Sequence, residues 1–201
     1  MKEQQDYIQD IAQIRSMMER SSKFLSLSGW AGILAGSYAL AGAWIANSFL
    51  GFQPDQIFYS YPDLTNILLT AGGVLVLSLI SALLDSRRKA QKSDESAWNS
   101  TSKRMLASMA VPLFTGGLLT LLLLQYGLTG LMAPLTLIFY GLALYNAGFY
   151  TIREVRLMGF TQMILGLLNL GFIESGLLFW AIGFGGIHIV YGIYMHFRFE
   201  R

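Results

Sequence analysis

Apolar residues run almost without interruption through six stretches of this chain, and polar residues collect between them. The stretches are residues 24–49, 66–84, 105–124, 128–149, 157–173 and 177–197. A helix needs roughly 20 predominantly apolar residues to cross about 30 Å of hydrocarbon, and each run falls within the range that suffices. The runs are continuous rather than alternating and about twice as long as a barrel strand, so each predicts a helix. A helix also pairs its own backbone groups, as a chain surrounded by lipid must. The pattern therefore predicts an all-α polytopic membrane protein with six transmembrane helices. Glu174-Ser175-Gly176 is so short a link that the last two runs should form one hairpin.

The polar segment before the first run has a different period. Tyr7, Ile11, Ile14, Met18, Ser21 and Leu25 recur at spacings of four and three, which places them on one face of a helix with charged and amide residues opposite. Residues 1–23 are thus expected to form a cytoplasmic amphipathic helix ahead of a transmembrane domain over residues 24–201. The stripe over residues 7–25 can pair with a cytoplasmic protein or a second copy of the chain, lie on the inner leaflet, or pack on the chain's own loop. Next to a membrane, the lipid interface and the chain itself are the favoured places. The first run has no basic stretch and small-residue cleavage site of a signal peptide, so it reads as a retained span.

Composition agrees with a lipid-facing protein. Only 13% of residues are charged, against about 25% in a soluble domain, while 54% are hydrophobic. There is no cysteine, which excludes disulfides, thiolate nucleophiles and Cys-ligated metals.

Charge gives an orientation. All 14 Lys and Arg residues fall before the first run, between runs two and three, between runs four and five, or after the last. Loop residues Arg87, Arg88, Lys89, Lys103 and Arg104, then Arg153, Arg156 and Arg198, are the expected cytoplasmic anchors; the opposite loops carry only Asp55, Asp63 and Glu174. The positive-inside rule predicts such segregation with both termini in the cytoplasm. The basic loop 85–104 is explained by topology and by anionic lipid, and with no recognised binding motif beside it, no nucleic-acid partner is expected. Trp98 in that loop is expected to dock at the interface or on the N-terminal helix. The aromatic-rich outer loop from Gly51 to Asp63 is expected to lie along the headgroups, with a ligand lid as the rival reading.

The chain contains no G-x-S-x-G, H-E-x-x-H, Walker or dinucleotide fingerprint, so no catalytic residue, metal ligand or cofactor is assigned, and enzyme activity is unsupported. His188 lies about 12 residues from the outer end of its run, roughly 18 Å along the axis and near mid-membrane. His196, two turns further, lies near the inner surface, and the two are too far apart on one helix to hold a single haem between them. A His–Met site would need Met105 or Met109, which read more simply as packing residues. An intramembrane ionisable residue is a functional candidate by default, but a neutral imidazole also serves as an interhelical hydrogen-bonding group. Tyr140, Tyr145, Asn146, Gln162 and Asn169 are its available partners. The packing reading is favoured over a proton relay or ligand site.

Gly32 and Gly36, Gly116 and Gly117, and Gly185 and Gly186 are expected to allow close helix approach. If the chain were an inverted repeat, runs three and six would correspond, and their glycines would mark broken helices around a transport site. With 21 glycines in 201 residues such coincidence is cheap, and tight packing is the favoured reading.

The stretches LTLIFYGLALYNAGFYT (Leu135 to Thr151), GLLFWAIGFGGIHIVYG (Gly176 to Gly192) and WNSTSKRML (Trp98 to Leu106) resemble a family of uncharacterised integral membrane proteins of Bacteroidota. The resemblance implies a multi-pass protein of the bacterial inner membrane without an assigned catalytic or ligand residue. It also implies genes lying beside small winged-helix regulators, which favours a sensing or stress-response role. The first reading is accordingly a non-enzymatic signalling or assembly component. A small secondary transporter or channel around His188 is the alternative, and an embedded enzyme or haem protein ranks last.

Overall fold

The structure, a computed structural model, describes residues 28–59, 64–92 and 98–199, with Ile11 and Ile14 besides. The helices are α1 (Gly29–Ser48), α2 (Leu64–Lys92), α3 (Ser100–Gln125), α4 (Met132–Ala147) and α5 (Arg153–Gly171). The last helix is α6 (Gly176–Trp180), a π-helical segment Ala181–Ile187, and α7 (His188–Phe199). Among the described residues there is no strand. The amphipathic helix expected over residues 1–23 lies outside the described residues except for Ile11 and Ile14, which are helical with exposed side chains.

Five segments are long and apolar enough to cross a membrane: Gly29–Ser48, Leu64–Lys89, Ser100–Gln125, Thr129–Ala147 and Ile173–Arg198. The expected fifth run, now α5, does not join them by composition. Its first turn carries Arg153, Glu154 and Arg156, and its interior carries Gln162 and Asn169. Their placement is telling. Val155, Met158, Gly159, Gln162, Gly166 and Asn169 form its buried face, while Leu157, Phe160, Leu167 and Leu168 are exposed. A helix with its amides inside and its leucines outside is patterned for an apolar solvent.

Local sequence explains the helix ends. Asn99 caps α3 through a capping box with Ser102, the two side chains bonding reciprocally to each other's backbone N–H at 2.8 and 3.0 Å. At the other end of α3, Gly127 takes φ +75° and turns the chain out of the helix. Helices α2 and α3 both extend past the apolar runs into the basic connection. Their continuation reflects good helix formers there, such as Arg87, Arg88 and Lys89, rather than lipid.

Two antiparallel helix pairs form the body. Helix α1 lies on the last helix, and α4 lies on α5. In each pair glycines spaced by seven residues line the seam. A Cβ on Gly29 would sit 2.5 Å from the Gly192 carbonyl oxygen, and one on Gly36 would sit 2.6 Å from that of Gly185. In the second pair, a Cβ on Gly141 would sit 2.7 Å from the Gly159 oxygen, and one on Gly166 would sit 2.8 Å from the Pro134 oxygen. Seven residues is close to two helical turns, so both seams stay in line and the backbones touch. Helix α2 then packs on α1, and α3 packs on α4, where Phe139 covers Gly116. Both keep a broad exposed apolar surface, including Leu69, Leu75, Phe114 and Leu118. Gly117 and Gly186, expected in the packing set, take no part in a seam: a Cβ on either meets nothing within 4 Å.

The three acidic-side loops meet at one end. The amide of Gly130 donates to the Ile57 carbonyl at 3.1 Å, and that of Tyr59 to the Gly127 carbonyl at 3.2 Å. A Cβ on Gly130 would lie 3.0 Å from Ile173. Phe52, in the loop after α1, is buried with Ala46 and Ile67, whereas Ile57 and Phe58 are exposed. The loop therefore plugs this end with one aromatic side and offers the other outward.

Candidate functional site

The polar residues expected inside the membrane divide into separate places, each built around a backbone carbonyl. Helix α3 continues through Pro112, whose missing N–H deprives the carbonyl four residues earlier of its usual donor. That carbonyl belongs to Ser108. Asn146 of α4 donates its Nδ2 to it at 3.4 Å. Asn146 thus ties α3 to α4 and is not a partner of His188.

At the far end of α5, Asn169 donates Nδ2 to the Phe172 carbonyl at 3.1 Å, where the helix has just ended and its last carbonyls need donors. Asn169 is fully buried, and its Oδ1 has no hydrogen-bond partner.

His188, Tyr140 and Gln162 do come together. The carbonyl of Gly183 accepts from Gln162 Nε2 at 2.7 Å and is 3.0 Å from His188 Nδ1. A carbonyl can only accept, so the imidazole carries its proton on Nδ1. Nε2 then accepts from the Tyr140 hydroxyl, 2.8 Å away. This neutral tautomer uses both ring nitrogens, and it avoids an unpaired charge among apolar side chains. Three helices, α4, α5 and the last, are joined through this carbonyl and the His188 ring.

The π-helical segment makes this convergence possible. Both lone pairs of the Gly183 oxygen go to side chains, and a side chain entering the backbone ladder is a recognised cause of local departure from α geometry. Gly183 itself must lack a side chain, since a Cβ there would collide with Leu137 and lie 2.5 Å from Gln162 Oε1. The helix breaks that an inverted repeat would place at these glycines are absent: the last helix widens into a π-helical segment, and α3 is continuous through Gly116 and Gly117.

Comparison with protein-family models, with curated proteins and with solved structures finds no match.

Rings complete the site. Trp180, Phe184 and His188 follow each other at one-turn spacing along the last helix; Phe184 and His188 are stacked at 6.0 Å with an interplanar angle of 12°. Tyr140 stacks on His188 at 5.4 Å and lies 5.0 Å from Phe184. The imidazole is 7% exposed and so is held by rings as well as hydrogen bonds. The carbonyl of Gly183 and the ring of Phe184 escaped sequence reasoning. A backbone acceptor leaves no residue signature, but the 180-184-188 spacing of aromatic residues was available.

Other expected residues lie apart. Met105 is buried with Leu144, Ala147, Val155 and Met158 in an apolar cluster. His196 stands edge-on to Trp30 at 5.5 Å. Trp98 is exposed beneath Lys103 Nζ, 5.6 Å from its ring. Among the described residues no three His, Asp or Glu side chains gather as a metal site.

Proposed function

We propose that this chain is a six-span protein of the bacterial inner membrane with both termini in the cytoplasm, acting as a non-enzymatic signalling or assembly component. The observation that carries the reading is the occupancy of His188: both ring nitrogens are bonded within the protein. An imidazole so held fastens α4 and α5 to the last helix. Asn146, Gln162 and Asn169 likewise supply donors to backbone carbonyls. Intramembrane polarity then serves the fold, and contact with partners falls to the surfaces outside the membrane. The inside-out patterning of α5 supports a sixth crossing, and the meeting of the three acidic-side loops supports an even number of crossings.

The absence of cysteine makes orientation testable with single replacements. Gln56→Cys should be modified from the outside of intact cells by a membrane-impermeant maleimide, and Ser100→Cys only after the cells are opened. The reverse pattern contradicts the topology. For the functional part, crosslinking and pull-down from membranes should recover a set of cytoplasmic proteins that is lost when residues 1–22 are removed. An unchanged set overturns the assembly reading.

A transporter built around His188 needs the imidazole to exchange partners during a cycle. The saturated hydrogen bonding supports that second reading less well than the structural one.

A further inference from the structure

A groove of about 920 Å³ runs between α5 and the last helix, with Leu40 of α1 contributing to its wall. It follows the last helix from Leu178 to Tyr194, a rise of roughly 24 Å. That exceeds half of the roughly 30 Å hydrocarbon thickness, so one leaflet's acyl chain fits lengthwise. Its middle is open because Gly186 lines it: a Cβ there meets nothing within 4 Å. This accounts for a glycine that no helix seam requires.

Apart from Thr161, whose hydroxyl donates to the Leu157 carbonyl, the groove is apolar except at the end where α5 begins. Arg153 and Glu154 stand side by side there, together with Tyr191, whose buried hydroxyl has no hydrogen-bond partner. Adjacent charges of opposite sign match a headgroup that itself carries a phosphate followed by a primary ammonium. A purely anionic headgroup could place its phosphate on Arg153 but would bring no cation to Glu154. No N-cap side chain bonds to the first turn of α5, and the positive end of a helix dipole favours a phosphate.

We propose that this groove holds one acyl chain of a zwitterionic aminophospholipid, its phosphate on Arg153 and its ammonium on Glu154. The inference needs the chain to lie in a bilayer, but not the orientation or the partners proposed above, so it stands or falls separately from them.

The test uses the full-length protein exchanged into nanodiscs containing equal amounts of dioleoyl phosphatidylethanolamine and dioleoyl phosphatidylglycerol, then released and weighed by native mass spectrometry. One retained phosphatidylethanolamine is expected, favoured over phosphatidylglycerol by up to about fivefold, the scale of a partly exposed charge pair. Glu154→Gln should bring that preference close to one. Gly186→Leu starts from a Cβ that meets nothing within 4 Å and projects into the groove, and it should cut retention of both lipids about tenfold while helical content and thermal midpoint do not fall. Unchanged retention in folded Gly186→Leu overturns the groove as the site. Equal retention of the two lipids by the parent protein, or a preference that survives Glu154→Gln, overturns the headgroup assignment.

Discussion

The last helix is held on its two sides by different means. Toward α1 it presents Gly185 and Gly192 to Gly36 and Gly29, backbone against backbone. Toward α4 and α5 it presents the Gly183 carbonyl and His188, which take hydrogen bonds from Gln162 and Tyr140. In lipid neither side gains from excluding water, because the surrounding chains are as apolar as the protein. The glycine side is held by close van der Waals contact and has no room to relax. The hydrogen-bonded side is held by a few directional contacts whose partners can shift. Intolerance of added bulk is therefore expected on the first side, and a modest, additive loss on the second.

The largest effect should come from Gly36→Leu. Its Cβ alone would fall 2.6 Å from the Gly185 oxygen and 2.7 Å from Ile189 Cγ1. Overpacking of this kind costs about 3 kcal/mol or more where backbone is the obstacle. Unfolding in mixed detergent micelles measures it; a loss under about 1 kcal/mol would mean that α1 slides freely. Next is Gln162→Leu, which removes one of the two donors to the Gly183 carbonyl and should cost about 1–2 kcal/mol, near the upper end for hydrogen bonds in membranes. A cost as large as that of Gly36→Leu would erase the contrast between the two sides.

Asn146→Leu should cost less, about 0.6 kcal/mol, and it has a specific rescue. Pro112→Ala restores an N–H to the Ser108 carbonyl, so in that background Asn146→Leu should be nearly neutral. Equal cost in both backgrounds would disconnect the amide from the proline. The smallest effect belongs to Gly186→Ala, which adds a methyl to open space and removes a helix-disfavouring glycine; a change between zero and a gain of about 1 kcal/mol is expected in the same unfolding assay.

Much of this fold was legible as hydrophobic runs, because a membrane imposes length and continuity on every helix that crosses it. Helix positions agree with the runs to within a few residues, apart from the extensions of α2 and α3 into the basic connection, where lipid no longer sets the length. The status of α5 was harder to read. Its charged first turn and two amides lower its hydropathy, and only the burial pattern reveals that Gln162 and Asn169 point inward. His188, Tyr140 and Gln162 were identifiable as polar residues at membrane depth, but not as one group. Asn146 and Asn169 looked equally eligible, and what separates them is which carbonyl lacks a donor. For Asn146 a signal existed: Pro112 marks the Ser108 carbonyl by a four-residue offset. For Gln162 none existed, since the π segment that opens Gly183 depends on packing across three helices. The seven-residue spacings Gly29–Gly36, Gly141–Gly148, Gly159–Gly166 and Gly185–Gly192 were all present in the sequence. They separate seam glycines from Gly117 and Gly186 better than adjacent pairs do.

If His188 fastens the helices together, both of its ring nitrogens stay bonded within the protein. Solid-state NMR of the protein with ¹⁵N-labelled histidine in lipid bilayers at neutral pH reads this directly. A neutral His188 imidazole protonated at Nδ1 is expected, with Nε2 coupled to the Tyr140 hydroxyl proton and no exchange contact with water. An imidazolium signal, the opposite tautomer, or a water contact at either nitrogen would contradict it.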